Sequence, residues 1–489
     1  MKRPAVAELR SISRTITELA SARPDAPAVT CAGATLSWAE LDRSSNRLAR
    51  AYEALGVGHA DMVTLALPNS VDFVVAAVAV WKLGATPQPV SHRLPARERN
   101  AIVELADSAL VVGVEPGALR DRVCVPIDFQ PDSALSDAML DDRVAPVWKA
   151  PTSGGSTGRP KLILSAEPGV TGSARSRFLG TRPGTAQLIP GPMYHNGPFS
   201  VAMPGLFAGD HIVLLPHFDP EATLAAIEAH RVVSTLLVPT MMHRIWRLPQ
   251  AQRERYDLSS LEHVFHLAAP CPEWLKEAWI GWLGPERIVE IYAATEGHAA
   301  TRIRGDDWLL HRGSVGRCAM GEITIFDPDT GRELAPGTVG EVVYRSETPT
   351  YRYIGAEPTR FDGGWEGLGD MGWMDAEGYL YLCDRRIDMI LCGGANIYPA
   401  EVEAAILEHP SVESCAVIGL VHEDLGHTVH AIVQAPPATD LHDFLAERIS
   451  PLKIPRSFEF VTEPVRDDAG KVRRRQLQEE RSHLQGDSP

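Results

Sequence analysis

Through the first half of the chain, stretches with helical spacing of apolar residues alternate with short apolar runs bounded by turn residues. In ELDRSSNRLARAYEALG, Leu41, Leu48, Ala49, Tyr52 and Leu55 fall on one helical face and Gly56 supplies a stop. MVTLAL reads as a strand, Pro68-Asn69 as a turn, and VDFVVAAVAVWKLG as a largely buried helix ending at Gly84. The rhythm returns with a helix from Leu224 to His230, a strand from Val232 to Val238 and a break at Pro239. A strand (HVFHLAA), a helix (EWLKEAWIGWLG) and a strand (RIVEIYAA) follow. Strands spaced by helices predict parallel sheet with helices packed on its faces.

From Gly321 the pattern changes. ITIFD, GEVVYR and YLYLCD are short alternating segments separated by PDTG, APG and AEG turns, as in a small antiparallel subdomain. After Asp384 come a helix (PAEVEAAILEH), two strands (VESCAVIGL, VHAIVQA), a helix (DLHDFLAERIS) and a strand (SFEFVT). That is about a hundred residues of α+β, enough for a separate small domain. The polar end, QLQEERSHLQGDSP, predicts fraying. The fold class is thus α/β: a large N-terminal domain of parallel-type sheets with helices and a small antiparallel subdomain, then a small α+β C-terminal domain.

Composition narrows the function classes. The 489 residues are 44% hydrophobic and 22% charged, which excludes disorder, collagen and coiled coil. A net charge of −16 argues against a nucleic-acid partner, while leaving room for a local basic pocket. The longest largely apolar stretch, Val71 to Trp81, is too short for a membrane span, and MKRPAVAELRSISR has no signal-peptide core. Seven cysteines without a C-x-x-C pair read as reduced thiols, so a cytoplasmic location is expected.

The sharpest chemical signal is TSGGSTGRPK, Thr152 to Lys161. Small residues let backbone amides approach an anion, hydroxyls donate, and Lys161 adds charge, which suits a polyphosphate. A flexible surface linker is the bland alternative; Arg159-Pro160-Lys161 and the apolar LILS strand behind it favour phosphate. The segment is not a Walker loop, because Lys161 follows Pro160 and precedes Leu162.

This stretch resembles the phosphate loop of the adenylate-forming superfamily, which includes acyl-CoA synthetases, peptide-synthetase adenylation domains and firefly-type luciferases. Five further segments are similar to that family's motifs and occur in its order. They are MYHNGP (Met193 to Pro198), HLAAP (His266 to Pro270), YAATEG (Tyr292 to Gly297), GLGDMG (Gly367 to Gly372) with DRRIDMILCGGANIYPAEVE, and RDDAGKVRR around Lys471. The resemblance spans essentially the whole chain. It implies an N-terminal domain over residues 1–385 holding the acid and nucleotide sites, and a mobile C-terminal domain over 386–489.

What the resemblance implies about chemistry is a two-step ligase using ATP, magnesium and coenzyme A: acyl-AMP forms first, and a thiol then displaces AMP. Thr152, Ser153, Gly154, Gly155, Ser156, Thr157, Gly158 and Lys161 would hold the phosphates. Glu296 would hold magnesium, and the Thr295 hydroxyl would sit beside the α-phosphate. Ala268, Ala269 and Pro270 would line the adenine, with Tyr292 flat against it. Asp370 would accept both ribose hydroxyls, with Arg385 beside it. Lys471 would be the catalytic cation, and His195 would gate the carboxylate pocket. Asn196, Gly197, His266, Ala293 and Ala294 would wall that pocket. Gly393 and Gly394 would present backbone to the pantetheine arm.

The mostly small walls leave room for a bulky apolar acid, and GDDWLLHRGSVGR also resembles ligases for bulky carboxylates. CGGANIYPAEVE is closest to the CoA-ligase branch; a carrier-protein arm and oxygen are the other acceptors. Two positions depart from the family pattern. Val465 replaces the proline before the adenylation lysine, and Ile387, beside Arg386 in the hinge, replaces a small polar or charged residue. A β-branched hinge predicts a biased domain equilibrium. Two alternatives therefore stand: a thioester-forming ligase fed acyl-adenylate by a partner adenylating enzyme, and a non-catalytic adenylate or acyl-CoA binder. The sequence leaves open a homodimer.

Overall fold

The structure is a computed structural model that describes residues 9–154, 160–171, 182–392, 395–422, 425–437, 439–467 and 470–481. The first helical pattern becomes Trp38–Ala54, opened by a capping box in which Ser37 and Glu40 satisfy each other's backbone N–H groups. Beside it, Val71–Lys82 buries every residue from Phe73 onward. The last of these is Lys82, whose ammonium is met by Asp42 Oδ1 at 2.5 Å and Asn46 Oδ1 at 2.6 Å. These helices accompany a four-stranded parallel sheet in the order Thr86–Pro89, Met62–Leu65, Leu110–Val112, Val123–Val125.

A larger sheet has a parallel centre: His211–Leu214, Ala186–Ile189, Val232–Leu237, His263–His266 and Ile288–Ala293, side by side. Ile288–Ala293 then pairs antiparallel with Ala300–Arg304. Every pairing onward is antiparallel, through Ser314–Met320, Tyr379–Arg385, Trp365–Met374 and Gly340–Arg345 to Glu322–Phe326. The segments after Gly321 are antiparallel as their alternation predicts. They extend the main sheet edge to edge.

A third sheet has three antiparallel strands, Thr152–Gly154, Pro160–Ser165 and Tyr351–Ile354. Cross-strand partners share a face, and Ile354 opposes Leu162 while Tyr353 opposes Ile163. Leu162, Leu164 and Ile354 therefore pack into a cluster with Val90 and Ile102. Lys161 and Tyr353 are left together on the other face.

In the C-terminal part, Ser414–His422 and Gly426–Gln434 form a hairpin flanked by Ile390–Cys392 and Ser457–Val461. Helices Pro399–Leu407 and Leu441–Ala446 close its core over Ile397, Val402, Ile406 and Val417. The polar end departs from expectation: Arg474–Glu480 is a helix. Arg475 and Gln476 bond Glu479 and Glu480 one turn on, at 2.9 and 2.8 Å, and Leu477 packs against Ile418 and Leu420. Residues 482–489 lie outside the described residues. No helix among the described residues is long and apolar enough to cross a membrane.

Candidate active site

The phosphate-loop motif is a hairpin in the three-stranded sheet, with Thr152 opposite Leu162 and Gly154 opposite Pro160. Gly155, Ser156, Thr157 and Gly158 lie outside the described residues; Ser153 and Gly154 sit on the first strand. Thr152 Oγ1 accepts a bond from Gln88 Nε2 at 2.8 Å, which ties the hairpin to the parallel sheet. Lys161 leaves the second strand with Nζ 3.5 Å from Glu296 Oε1 and 3.9 Å from the centre of the Tyr353 ring.

Glu296 comes from the turn after Ile288–Ala293, where the sheet changes from parallel to antiparallel. The turn closes through Gly297 N–H on Ala294 O at 3.1 Å, with Gly297 at φ +73°. Its carboxylate is buried, and Oε1 also accepts from the Tyr353 hydroxyl at 2.5 Å. Thr295 is half-buried beside it. Among the described residues no three carboxylate, histidine or cysteine groups gather to hold a metal. One carboxylate at the end of a phosphate hairpin nevertheless fits magnesium, which takes one or two protein carboxylates and otherwise phosphate and water.

Tyr292, at the end of the same strand, donates its hydroxyl to Asp370 Oδ2 at 2.6 Å. Tyr344 donates to the same oxygen at 3.3 Å, and the two phenols also touch each other. Burial, and then the Asp370 charge, hold both phenols well above the usual tyrosine range. Asp370 sits in Trp365–Met374 directly opposite Arg385 in Tyr379–Arg385, and Arg385 Nε lies 3.3 Å from the other oxygen, Oδ1. The Asp370 charge in turn raises Arg385 above its ordinary range. Gly369, at φ +83°, makes the bend that presents Asp370.

On the opposite side, His195 precedes the helix Asn196–Ala208. Its Nε2 is buried and has no partner among the described residues. Burial, reinforced by the Lys471 charge, drives its pKa down to about 3, so the ring is neutral at ordinary pH. Asn196 Oδ1 accepts from Lys149 Nζ, which also bonds Ser200 Oγ at 2.5 Å.

Lys471 reaches this region from the C-terminal part. Lys471 is exposed, yet surrounding protein lowers its pKa by desolvation; Asp467 opposes that shift and Arg385 adds to it. The Lys471 charge is thus felt by His195 and feels that of Arg385. The loop is pinned by Asp467: its Oδ1 takes the Lys471 N–H at 2.8 Å, and its N–H donates to Lys471 O at 3.0 Å. Arg466 Nη1 holds Gly470 O at 3.0 Å. Gly470, at φ +74°, lies so close to the N-terminal domain that a Cβ there would stand 2.6 Å from Thr240 Oγ1.

One expected role needs correction. His266 does not wall an acid pocket: it has no exposed surface, and its ring faces the buried Lys276–Glu290 pair, with Nδ1 3.9 Å from Glu290 Oε1. Gly197 is half-buried, and a Cβ there would meet Leu267 Cδ1 at 3.2 Å. Ile387 is 61% exposed in the turn after Arg385. The flanking residues make polar contacts, Arg386 to Asp329 at 3.2 Å and Asp388 to Arg474 at 3.5 Å. Ala293 and Ala268 are exposed, Ala294 and Ala269 half-buried, and Pro270 exposed, with Ala268 in a left-handed conformation at φ +76°. Gly393 and Gly394 lie outside the described residues.

Sequence reasoning missed Tyr344, Tyr353 and Lys149. The two tyrosines stand in ordinary alternating strands, and Lys149 in a stretch that reads as linker. Only the polar end of an aromatic in a half-buried strand hints at a partner.

The family model described as AMP-binding enzyme matches residues 16–354, and the AMP-binding enzyme C-terminal domain matches residues 401–471. The chain is 29% identical to the long-chain-fatty-acid–CoA ligase FadD13 of Mycobacterium tuberculosis, covering 91% of this chain and 93% of that one. It is 31% identical to the indoleacetate–CoA ligase of Aromatoleum aromaticum, covering 95% and 96%. The solved o-succinylbenzoate CoA synthetase of Bacillus subtilis, in complex with its acyl-adenylate intermediate, matches the fold with a TM-score of 0.81 at 24% identity, covering 96% of this chain and 99% of that one. With both family domains present in order along the chain, this protein belongs to the AMP-binding enzyme family, on the acyl-CoA synthetase branch of the adenylate-forming enzymes.

Proposed function

We propose that the protein joins a bulky apolar carboxylic acid to coenzyme A in two steps, through acyl-AMP. The observation that carries this reading is the pinned lysine loop: Asp467 and Arg466 hold the backbone of Gly470 and Lys471, Gly470 lies against Thr240 of the N-terminal domain, and Lys471 is near enough for its charge to act on His195 and to feel that of Arg385. In the first step a carboxylate oxygen attacks the α-phosphorus of ATP and pyrophosphate leaves. Negative charge grows on the phosphoryl oxygens, and a fixed ammonium in a water-poor cleft stabilises it far better than solvent does. Lys471 supplies that charge near the acid and ribose, and Lys161 meets the leaving phosphates. Glu296 would hold magnesium, which neutralises charge on the polyphosphate. Asp370, fixed by two phenols and Arg385, orients the ribose, and Tyr292 backs the adenine. His195, neutral, borders the acid without adding charge.

In the second step the thiol of CoA displaces AMP. We assign the hinge to the turn after Arg385, so that residues 386–489 rotate and carry Lys471 away while the Gly393–Gly394 segment takes its place. Val465 packs with Ile418 and Leu420, and the lysine loop keeps its bonds around Gly470, which favours a full cycle over a thioester-only ligase. The exposed Ala293 and half-buried Ala294 support a large acid, and the relatives are named for long-chain fatty acids and indoleacetate. All seven cysteines are free thiols, in keeping with the cytoplasm as the proposed location.

The test is thioester formation by the purified protein from a panel of acids with ATP, magnesium and CoA, and separately from synthetic acyl-adenylates with CoA. Product from both arms is expected, with cyclic, aryl or long-chain acids preferred over acetate. Product from adenylates alone would establish the thioester-only ligase, and product from neither a binding protein.

A further inference from the structure

Glu296 is held by the protein's own groups. Its Oε1 takes the Tyr353 hydroxyl at 2.5 Å and lies 3.5 Å from Lys161 Nζ, and that ammonium stands 3.9 Å over the Tyr353 ring. The arrangement follows from sheet register. Tyr353 opposes Ile163 across the antiparallel pair, so Lys161, two residues before Ile163, is its diagonal neighbour on the same face. From this one position a tyrosine reaches both the cation of the phosphate hairpin and the carboxylate of the neighbouring sheet.

We propose that Tyr353 is a positioning residue for the first half-reaction: its hydroxyl fixes one oxygen of Glu296, and its ring seats Lys161 between that carboxylate and the phosphates. This rests on Glu296 as the metal-holding carboxylate. A phenol donating to a carboxylate makes a short, strong bond, and fixing Oε1 in this way restricts rotation of the whole carboxylate and so sets the orientation of its second oxygen. The ring holds the ammonium by cation–π attraction, a contact that survives when the ammonium exchanges the carboxylate for phosphate. Hydroxyl and ring thus have separable tasks. Partners that orient a metal-binding carboxylate are commonly worth about tenfold or more in metal affinity. A second tyrosine on the same strand, Tyr351, bonds Glu366 at 2.7 Å, which fixes the strand from its other end.

Two variants divide the tasks. Tyr353→Phe removes only the hydroxyl, and Tyr353→Leu removes the ring as well. Manganese binding in the presence of a non-hydrolysable ATP analogue, followed by the loss of the free-manganese EPR signal, should weaken about tenfold in Tyr353→Phe. Magnesium half-saturation of adenylation should rise by the same factor, with the KM for ATP at saturating magnesium unchanged. Tyr353→Leu should raise that KM in addition. Thioester formation from synthetic acyl-adenylate and CoA should be unaltered in both, which a merely structural residue would not allow. Wild-type manganese affinity in Tyr353→Phe, or equal losses in the two half-reactions, overturns the proposal. Glu296→Gln separates the layers. If it weakens manganese binding while Tyr353→Phe does not, only the role of Tyr353 falls; if it does not, the reading of Glu296 falls with it.

Discussion

At the scale of single residues, the candidate site is a set of charges held by tyrosine hydroxyls and by opposite charges: Glu296 by Tyr353 and Lys161, Asp370 by Tyr292, Tyr344 and Arg385. Lys471 is a cation brought in from the C-terminal part, and its lowered pKa reflects a setting where its charge is poorly solvated. Lys471→Ala should therefore slow pyrophosphate release on the order of hundreds-fold, as removal of an electrostatic transition-state contact does. The CoA step from preformed adenylate should be nearly unchanged, because that step needs the lysine elsewhere. Single-turnover measurement of each half-reaction checks this, and equal damage to both would make Lys471 structural. Residues of this kind were legible because their chemistry demands a particular type inside a recognisable string: Lys471 after Gly470, Glu296 after Thr295, Asp370 between glycines. Their holders were not legible. Tyr353, Tyr344 and Thr240 act across sequence separations far beyond any motif, and each looks locally like ordinary strand or helix.

At the scale of elements, two features carry the lysine loop. Gly470 combines a left-handed backbone with contact against Thr240. Gly470→Ala adds both a conformational cost of about 1–2 kcal/mol and a clash that exists only in this pose. Adenylation should fall about tenfold or more, the thioester step should be spared, and Thr240→Ala should restore part of the loss. The second feature is Glu403, which bonds Arg466 before the lysine and Arg474 after it, the latter at 2.7 Å, and accepts Val417 N–H at 2.8 Å. Its carboxyl is held below the usual range by the two guanidinium groups, despite burial that pushes the other way. Glu403→Ala would leave two cations facing a buried gap, costing about 3–5 kcal/mol. Unfolding of the C-terminal part, followed by hydrogen exchange, should then occur at lower denaturant than for the rest of the chain. Helical and strand periodicity made most elements visible in the sequence. It failed at Arg474–Glu480, where stabilisation comes from polar pairs one turn apart, one packed leucine and the tertiary bonds of Arg474 and Gln478 to Glu403 and Gly419, none of which leaves an apolar period in the sequence.

For the whole molecule, ionisation sets the stability profile. Burial depresses His195 to about 3 and His211, His243 and His266 to about 4. A depressed imidazole takes up its proton on unfolding, so its contribution is complete above the unfolded value near 6.5 and is lost as pH falls toward the folded value. Asp210, raised by burial to about 7, works the other way, stabilising at low pH and losing that contribution as pH rises through 7. Four imidazoles outweigh one carboxyl between pH 6.5 and 4. The melting temperature should drop steadily as the buffer is taken from pH 7 to pH 5, and a flat profile across that window would contradict the burial of these rings.

The strand Tyr351–Ile354 also has a consequence for how the protein is made. The hairpin that carries Lys161 is synthesised early, but its third strand and the tyrosine platform leave the ribosome almost two hundred residues later. The ribose side, Asp370 and Arg385, emerges later still. A growing chain therefore holds the phosphate hairpin with one edge bare and no assembled nucleotide cradle until the N-terminal domain is nearly complete. ATP, abundant throughout translation, finds no finished site on an unfinished enzyme, and nucleotide binding becomes a signal that the main domain has closed.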